Sequence, residues 1–210
     1  MPNWCNNNLT LTHEDPAMIK RAFDALERGE LLQEFIPVPE DLKITAGFLG
    51  DSEEQKKLEE ATARNKEVHG YGNWYDFCVG EWGTKWDIGE QGCSDIHPDG
   101  KMLHTNFDSA WSPPLSAYEK LMDLGFGVNA MYYEGGMCYA GIWADGNDEY
   151  YDMSGMDSVQ AESDLPSELD EAFCISESMA EYEAENEEEE LTEWLKDGVE
   201  QNKKLGLLVE

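Results

Sequence analysis

The sequence predicts an α+β fold in which helices cover one face of an antiparallel β-sheet. Three observations lead to this prediction. Apolar and polar residues alternate in several short stretches, which is typical of half-buried strands. Between these stretches, apolar residues recur at helical spacing. A Gly-Gly dipeptide at residues 135–136 lies between two apolar runs and indicates a β-hairpin.

The N-terminal residues predict one strand followed by one helix. Residues 4–12 alternate between apolar and polar positions and predict the strand. Asp15 suits a helix N-cap, and Pro16 suits the first helical position. Apolar residues then recur at helical spacing as far as Gly29, which predicts the end of the helix.

An extended connector and an inserted helix are predicted next. Residues 31–44 contain two prolines, which exclude a long regular element. Residues 51–68 are rich in helix-forming residues but poor in apolar ones, which predicts a solvent-facing helix. We therefore expect a mobile helical insertion at about residues 46–72 that the fold does not require.

The stretch Asn73–Pro114 contains four of the seven tryptophans. Trp74 and Trp82 share one helical face, and Gly83 suits a left-handed C-cap for that helix. Residues 84–88 then alternate and predict a strand.

A polar loop, three strands and another helix complete the predicted domain. The loop is predicted at residues 89–100, the strands at 102–111, 127–133 and 137–144, and the helix from Ser112-Pro113-Pro114 to Gly125. A short edge strand is predicted at residues 150–153.

Without the insertion, the order of elements is close to βαββαβ with one extra strand. This is the ferredoxin-like or split-βαβ arrangement, and we assign it to residues 1–153. Residues 154–210 are predicted to form an acidic extension with one or two amphipathic helices, at about 164–182 and 187–204. Low hydrophobicity predicts that part of this extension is disordered on its own.

The charge of the chain limits its partners. It contains 46 acidic and 14 basic residues, which gives a formal net charge of −32 and a pI of about 4.1. Residues 1–154 hold 28 acidic and 11 basic residues, whereas residues 155–210 hold 18 and 3. Such a field repels nucleic acids and anionic lipids but attracts basic proteins. We therefore expect no direct binding to nucleic acid or to a membrane.

Cysteine usage indicates a reducing compartment. The five cysteines are scattered and include no C-x-x-C motif. The N-terminus lacks the basic and apolar regions of a signal peptide, and the sequence has no apolar run of about 20 residues. We expect a cytoplasmic protein, and the sequence does not predict its oligomeric state.

The sequence offers few candidates for chemistry. Removal of the initiator methionine would expose the Pro2 amine, which tautomerases use as a base, although proline is also a common second residue. Cys93, His97 and His104 suggest a zinc site, but their spacing fits no standard finger and a fourth ligand is missing. Phosphate-binding loops and hydrolase motifs are absent. We predict no catalytic residue, no metal and no cofactor.

The tryptophans have two interpretations. Their alternation matches the faces of the predicted elements and favours a role in the core. Stacking on nucleic-acid bases is the alternative, which the net charge disfavours. Lys85 is one of few basic residues in this stretch, and we expect it to pair with a carboxylate such as Asp108.

Four segments of the sequence resemble a known family. They are M-P-N-W-C-N-N, F-I-P-V-P-E-D-L, N-W-Y-D-F-C-V-G-E-W-G-T-K-W-D and F-D-S-A-W-S-P-P. Over about residues 1–145 they are similar, in the same order, to the YubB-type ferredoxin-like proteins of bacteriophages and conjugative plasmids. The resemblance implies a ferredoxin-like fold and a bacterial mobile-element origin, but no activity. The motif and predicted core residues are Trp4, Trp74, Trp82, Gly83, Lys85, Trp86, Trp111, Pro113 and Pro114.

The leading functional hypothesis is binding to a basic host protein or nucleic-acid-binding complex. We expect an accessory protein that presents carboxylates to the basic groove of a nuclease or another defence complex, as a DNA mimic does. One alternative is an enzyme or small-molecule-binding domain with a pocket beside the aromatic stretch, and another is a virion or housekeeping component. The predicted partner-binding residues are Asp145, Asp148, Glu149, Asp152, Glu183, Glu185, Glu187, Glu188, Glu189 and Glu190. The first four do not follow the order of a calcium-binding loop.

Overall fold

A six-stranded antiparallel sheet organises the first part of the chain. The structure, a computed structural model, describes residues 3–89 and 94–204. It divides into two compact units, Met1–Asp152 and Met153–Glu210. In spatial order, the strands of the sheet are β2 (Asp95–Ile96), β3 (Met102–Ala110), β1 (Trp4–Thr12), β4 (Gly127–Glu134), β5 (Tyr139–Ala144) and β6 (Asn147–Asp152). The predicted α+β class and antiparallel sheet are therefore confirmed.

Among the described residues of the first unit, five α-helices accompany this sheet. They are α1 (Pro16–Arg28), α2 (Leu31–Phe35), α3 (Glu53–His69), α4 (Trp74–Phe77) and α5 (Leu115–Asp123). A 3₁₀ turn spans Glu40–Leu42, and a π-helical turn, Cys78–Trp82, continues α4. Gly83 ends that turn in the left-handed conformation with a φ of 82°, as its position in the sequence predicts.

The core lies on one face of the sheet. Strand alternation directs Leu9 and Leu11 of β1 to this face, where both are fully buried. They belong to one apolar cluster with Leu26 of α1 and with Tyr118 and Leu121 of α5. Burying these side chains is the main favourable contribution to folding.

The inserted helix α3 faces solvent, as its composition predicts. Ser52 caps it by accepting a hydrogen bond from the backbone N–H of Gln55 at 3.1 Å. Asn65 is the one buried residue of α3, and its amide donates to the carbonyl oxygens of Asp41 at 2.6 Å and Gly72 at 3.3 Å. These two bonds attach the helix to its flanking segments, and its mobility stays a prediction.

The prediction of a strand at residues 84–88 is wrong. The Thr84 hydroxyl donates to the Ala110 carbonyl at 3.0 Å and accepts from the Ala110 N–H at 3.1 Å, so a side chain takes the place of a strand partner. The strand that flanks β3 is β2, which lies inside the predicted loop at residues 89–100.

Asp87 fixes this segment against the start of α2. Its carboxylate accepts hydrogen bonds from the backbone N–H groups of Leu32 at 2.7 Å, Gln33 at 2.8 Å and Ile88 at 2.8 Å. Burial raises the pKa of the Asp87 carboxyl, whereas these three bonds lower it. The carboxylate thus satisfies N–H groups at a helix start that have no intrahelical partner.

The second unit contains three helices, α6 (Ser158–Asp164), α7 (Ser167–Phe173) and α8 (Ile175–Lys204). Asp157 and Gln160 form a capping box at the start of α6. Of the one or two helices predicted over 164–182 and 187–204, α8 forms one continuous helix through residues 182–187. Within the described residues, no helix combines the length and apolar character needed to cross a membrane.

Replacing Asp87 by alanine tests its role in the fold. We expect Asp87→Ala to lower the free energy of unfolding by about 2–4 kcal/mol, because three backbone N–H groups lose their acceptor. Urea unfolding followed by circular dichroism measures this change. The control Asp51→Ala, at an exposed position, should change stability by less than about 0.5 kcal/mol. Equal effects of the two substitutions would contradict the assignment.

Candidate functional site

An open groove lies on the helix side of the sheet, where β1 begins and β3 ends. It has a volume of about 650 Å³ and a mostly apolar lining. Side chains that line it include Trp111, Pro113, Tyr132, Tyr139, Asp148 and Tyr150. We call it the aromatic groove, and all of these residues belong to the first unit.

The register of β5 and β6 brings Asp148 and Tyr150 to the groove. Trp143 pairs with Asp148, and Gly141 pairs with Tyr150. Because Trp143 is buried in the core, strand alternation places Asp148 and Tyr150 on the same side of the sheet. Tyr139 and Tyr150 stack there, with ring centroids 5.6 Å apart and an interplanar angle of 29°.

Tyr132 of β4 reaches across β5 to Asp148. Its hydroxyl donates to Oδ1 of Asp148 at 2.7 Å. Gly141 permits this approach, since a Cβ at that position would lie 2.2 Å from the Tyr132 hydroxyl oxygen. Burial, followed by the bond to Asp148, raises the pKa of Tyr132. The protonated hydroxyl therefore holds one oxygen of Asp148 in a fixed position.

Trp111 lines the groove in a left-handed backbone conformation. Its φ is 73°, which is uncommon for a residue other than glycine. Two hydrogen bonds hold it there, because its N–H donates to the Asn3 carbonyl at 2.9 Å and its carbonyl accepts from the Tyr139 hydroxyl at 2.7 Å. Strained residues of this kind often occur at functional sites.

Lys85 lies among aromatic rings. Its Nζ is 4.6 Å from the Trp86 ring centroid, 5.1 Å from that of Trp111 and 5.9 Å from that of Tyr75. The predicted pair with Asp108 does not form, since the Asp108 carboxylate accepts instead from the Asn6 side chain at 2.6 Å. Cation–π attraction therefore takes the place of an ion pair at Lys85.

The core prediction is wrong for three of the five tryptophans. Trp4, Trp86 and Trp111 are 45%, 38% and 40% exposed. Trp4 is exposed because the alternation of β1 points its side chain away from the core. Trp86 does not lie in a strand, and Trp111 lies in a turn with a left-handed backbone, so neither ring is directed into the core. Trp82 is buried and its indole N–H donates to the Ile36 carbonyl at 2.9 Å, whereas Trp74 packs half-buried against the core.

The predicted acidic residues of the first unit do not share one face. Asp145 lies in the turn between β5 and β6 with a φ of 52°. Asp148 and Asp152 alternate with Glu149 along β6, so Glu149 points to the other side of the sheet. Asp148 alone among these four lines the groove.

The predicted acidic residues of the second unit all lie on α8. Glu183 accepts hydrogen bonds from the Ser158 N–H at 2.8 Å and from its hydroxyl at 2.6 Å, so it connects α8 to α6. Glu185, Glu188 and Glu189 line a shallow polar depression along the helix. Glu187 is also exposed, and the Glu190 side chain lies outside the described residues.

Of the other candidates from the sequence, the structure describes His97 and His104. Pro2 and Cys93 lie outside the described residues. His97 contacts Asp99, with Nδ1 3.0 Å from Oδ1, and His104 bonds to the Thr10 hydroxyl at 3.1 Å. Across residues 3–89 and 94–204, no group of three or more His, Cys, Asp or Glu residues is arranged to hold a metal ion.

Cys5 is a buried thiol near the groove. Burial raises its pKa to about 12, although hydrogen bonds to Tyr139 and Ser109 lower it in part. The neutral thiol predominates at physiological pH, and a thiol is a much weaker nucleophile than a thiolate. Cys5 therefore contributes packing here rather than nucleophilic chemistry.

Sequence patterns alone do not identify the tyrosines of the groove. Tyr132, Tyr139 and Tyr150 come from three strands, and their meeting depends on register between those strands. The strands predicted at residues 127–133, 137–144 and 150–153 give a partial signal, because alternation assigns each tyrosine to a face of its own strand. Which residues of neighbouring strands pair with each other cannot be predicted from the sequence of one strand alone.

The fold and groove define an α+β protein with an open sheet and an aromatic surface site. No family model matches the chain, and no curated protein matches it either. A crystal structure of the protein api92 from Yersinia pseudotuberculosis, of family DUF1281, is similar at a TM-score of 0.39 and 10% identity. The alignment covers 72% of this chain and 98% of api92. A likeness at this level does not establish a common fold or function.

Replacing Gly141 by alanine tests how the groove is built. We expect Gly141→Ala to destabilise the protein by about 2 kcal/mol, because its methyl group would overlap Tyr132 and displace its hydroxyl from Asp148. Thermal unfolding measures the effect. The control Gly47→Ala adds a methyl group in open space and should be nearly neutral. A neutral Gly141→Ala variant would show that Tyr132 does not occupy this position.

Thiol labelling tests the environment of the cysteines. At about pH 8, Cys5 and Cys78 should react at least about 100-fold more slowly than exposed Cys174, because burial raises both of their pKa values to about 12. Their thiolate forms increase only as the pH rises toward that value. Mass spectrometry of the alkylated native protein gives the rates. Labelling of Cys5 as fast as Cys174 would contradict its burial.

Proposed function

We propose that this chain is an acidic accessory protein of a bacteriophage or plasmid that acts by binding a basic host protein. The observation that carries this proposal is the concentration of unneutralised carboxylates along α8. The sequence resemblance to the YubB-type family supports the mobile-element origin. The bacterial cytoplasm is the compartment in which such a protein would meet its partner.

The charge on α8 is dense, and among the described residues none of its carboxylates forms an ion pair. The 30-residue helix contains eleven acidic and three basic residues and is about 45 Å long. All of its described acidic side chains are exposed except Glu183, which is partly covered. Among the described residues, every ion pair belongs to the first unit. The helix thus presents a linear negative charge that a basic surface would complement.

The class of partner follows from the resemblance between the row of negative charges on α8 and the charges of DNA. Double-stranded DNA also presents negative charges in rows, and proteins that bind it carry complementary basic grooves. We infer that the partner is a nucleic-acid-binding protein of the host, such as a nuclease or another component of a defence system. Binding would block the nucleic-acid site, which is the action of a DNA mimic.

The order of elements supports a ferredoxin-like assignment for the first unit. Its elements β1, α1, β2, β3, α5 and β4 follow the βαββαβ order. β1 lies in the middle, between β3 and β4, and all neighbouring strands are antiparallel. We infer a ferredoxin-like domain extended by β5 and β6 at one edge of the sheet.

The aromatic groove supports a second candidate function, the binding of a small organic molecule. Its concave apolar lining with a few polar groups is typical of ligand sites. A thermal-shift screen with neutral aromatic compounds tests this candidate. Stabilisation that is lost in Tyr150→Ala would support it, and no stabilisation by any compound would reject it.

Neutralising α8 tests the main proposal. We expect a triple variant with Glu185, Glu188 and Glu189 replaced by glutamine to capture less of a basic nucleic-acid-binding protein from bacterial lysate than the parent chain. Capture should also fall at least about tenfold between roughly 50 mM and 500 mM salt, because exposed charges are screened. Quantitative mass spectrometry of the captured proteins provides the measurement, and added duplex DNA should compete.

A matched variant provides the control for this experiment. Replacing Glu54, Glu60 and Glu67 of α3 removes the same charge from another exposed helix and should leave capture unchanged. Equal losses in both variants would indicate a general effect of net charge. Capture that is indifferent to salt, or the absence of any specific basic partner, would overturn the proposed function.

A further inference from the structure

We propose that the aromatic groove receives an arginine side chain of a basic partner protein. This inference rests on the proposed function, because it identifies the chemistry by which that partner is recognised at the first unit. The groove then contributes a specific contact in addition to the general attraction from α8.

The aromatic walls suit a planar cation. Tyr139 and Tyr150 stack at the groove with centroids 5.6 Å apart, and Trp111 also lines it. A guanidinium group is flat and weakly hydrated, so it stacks on aromatic faces at a smaller desolvation cost than an ammonium group. Exposed tyrosine and tryptophan rings are therefore better suited to arginine than to lysine.

Asp148 supplies the complementary charge. Its Oδ1 accepts the Tyr132 hydroxyl at 2.7 Å, which orients the carboxylate, and its Oδ2 has no hydrogen-bond partner among the described residues. The residue is exposed and lines the groove. A guanidinium group can donate to such a carboxylate through two N–H groups at once, which adds geometric specificity to the charge attraction.

Lys85 shows that this region already holds a cation against aromatic rings. Its Nζ lies 5.1 Å from the Trp111 centroid. Lys85 also places one positive charge near the groove, which opposes a cationic ligand. Asp148 lines the groove directly, and residues 1–154 carry 28 acidic residues against 11 basic ones. The balance of charge therefore favours a basic side chain.

The size of the groove favours a residue within a protein over free arginine. A volume of about 650 Å³ exceeds that of one side chain, so the groove can also hold the residues that flank the arginine. Apolar surface at exposed Met137 is available to contact those residues. Such additional contacts would raise the affinity above that of the isolated amino acid.

Short peptides test this inference with the full-length chain. We expect acetyl-Gly-Arg-Gly-amide to bind at least about tenfold more tightly than the same peptide with citrulline, which has the same shape without the charge. The lysine peptide should bind more weakly than the arginine peptide. Tryptophan fluorescence and NMR titration of the indole signals measure binding and locate it.

Two variants and their controls assign the site. Asp148→Asn should remove the preference for arginine over citrulline, while its amide oxygen can still accept the Tyr132 hydroxyl and preserve the fold. Tyr150→Ala should weaken arginine binding by removing one stacking face. Asp145→Asn in the adjacent turn and Tyr182→Ala on α8 should bind like the parent. Equal affinity for arginine and citrulline, or an unchanged Asp148→Asn variant, would overturn the inference.

The outcomes for the groove and for α8 can be separated. If the peptides fail to bind but capture still depends on the charge of α8, the arginine site is rejected and the proposed function stands. If arginine peptides bind in the groove but neutralising α8 changes nothing, the proposed role of α8 is rejected. Neutral aromatic compounds that bind as tightly to Asp148→Asn as to the parent chain would instead support the small-molecule candidate and overturn the arginine site.

Discussion

Backbone pairing of β1 on both sides is the interaction on which the core and the groove both depend. β1 runs between β3 and β4 and pairs with β3 along its whole length. Its alternation places Leu9 and Leu11 under the helices, whereas Cys5 lies near the groove. A shift of one residue in this pairing would move every one of these side chains to the wrong face. The register of a single strand therefore determines the core and the position of the site.

Charge is distributed very differently in the two units. In the first unit, most basic side chains are used in ion pairs, such as Arg21 and Arg28 with Glu34. Exposed pairs of this kind contribute little stability, but they neutralise part of the local charge. In the second unit, the described carboxylates of α8 are left without such partners. The acidic character of the chain is therefore concentrated where the fold itself does not use it.

Periodicity in the sequence predicts most of the first unit and very little of its site. The strand at residues 4–12 is confirmed, because alternation there reflects burial on one face. Apolar and polar residues also alternate at 84–88, but for another reason. There, the side chains of Thr84 and Asp87 form hydrogen bonds with backbone groups of other segments. Alternation alone cannot distinguish these two cases.

The sequence suggests a pocket beside the aromatic stretch as one alternative, but it does not identify the residues that line the groove, for a different physical reason. The groove depends on the register between distant strands and on the left-handed conformation of Trp111. Neither property has a local signature in the sequence. The tryptophan-rich stretch is conspicuous, but Trp82 is buried whereas Trp86 and Trp111 are exposed, and the tertiary packing determines which ring faces solvent.

The sequence of α8 has a consequence for its own stability. Glu181, Glu185 and Glu189 follow one another at intervals of four residues and lie next to each other on the helix. Like charges at this spacing repel and weaken a helix. Added salt would reduce this repulsion and stabilise α8, yet the same salt would weaken its attraction to a basic partner. The proposed basic partner would resolve this conflict, because its positive charges would stabilise the helix through the same contacts that hold the complex together.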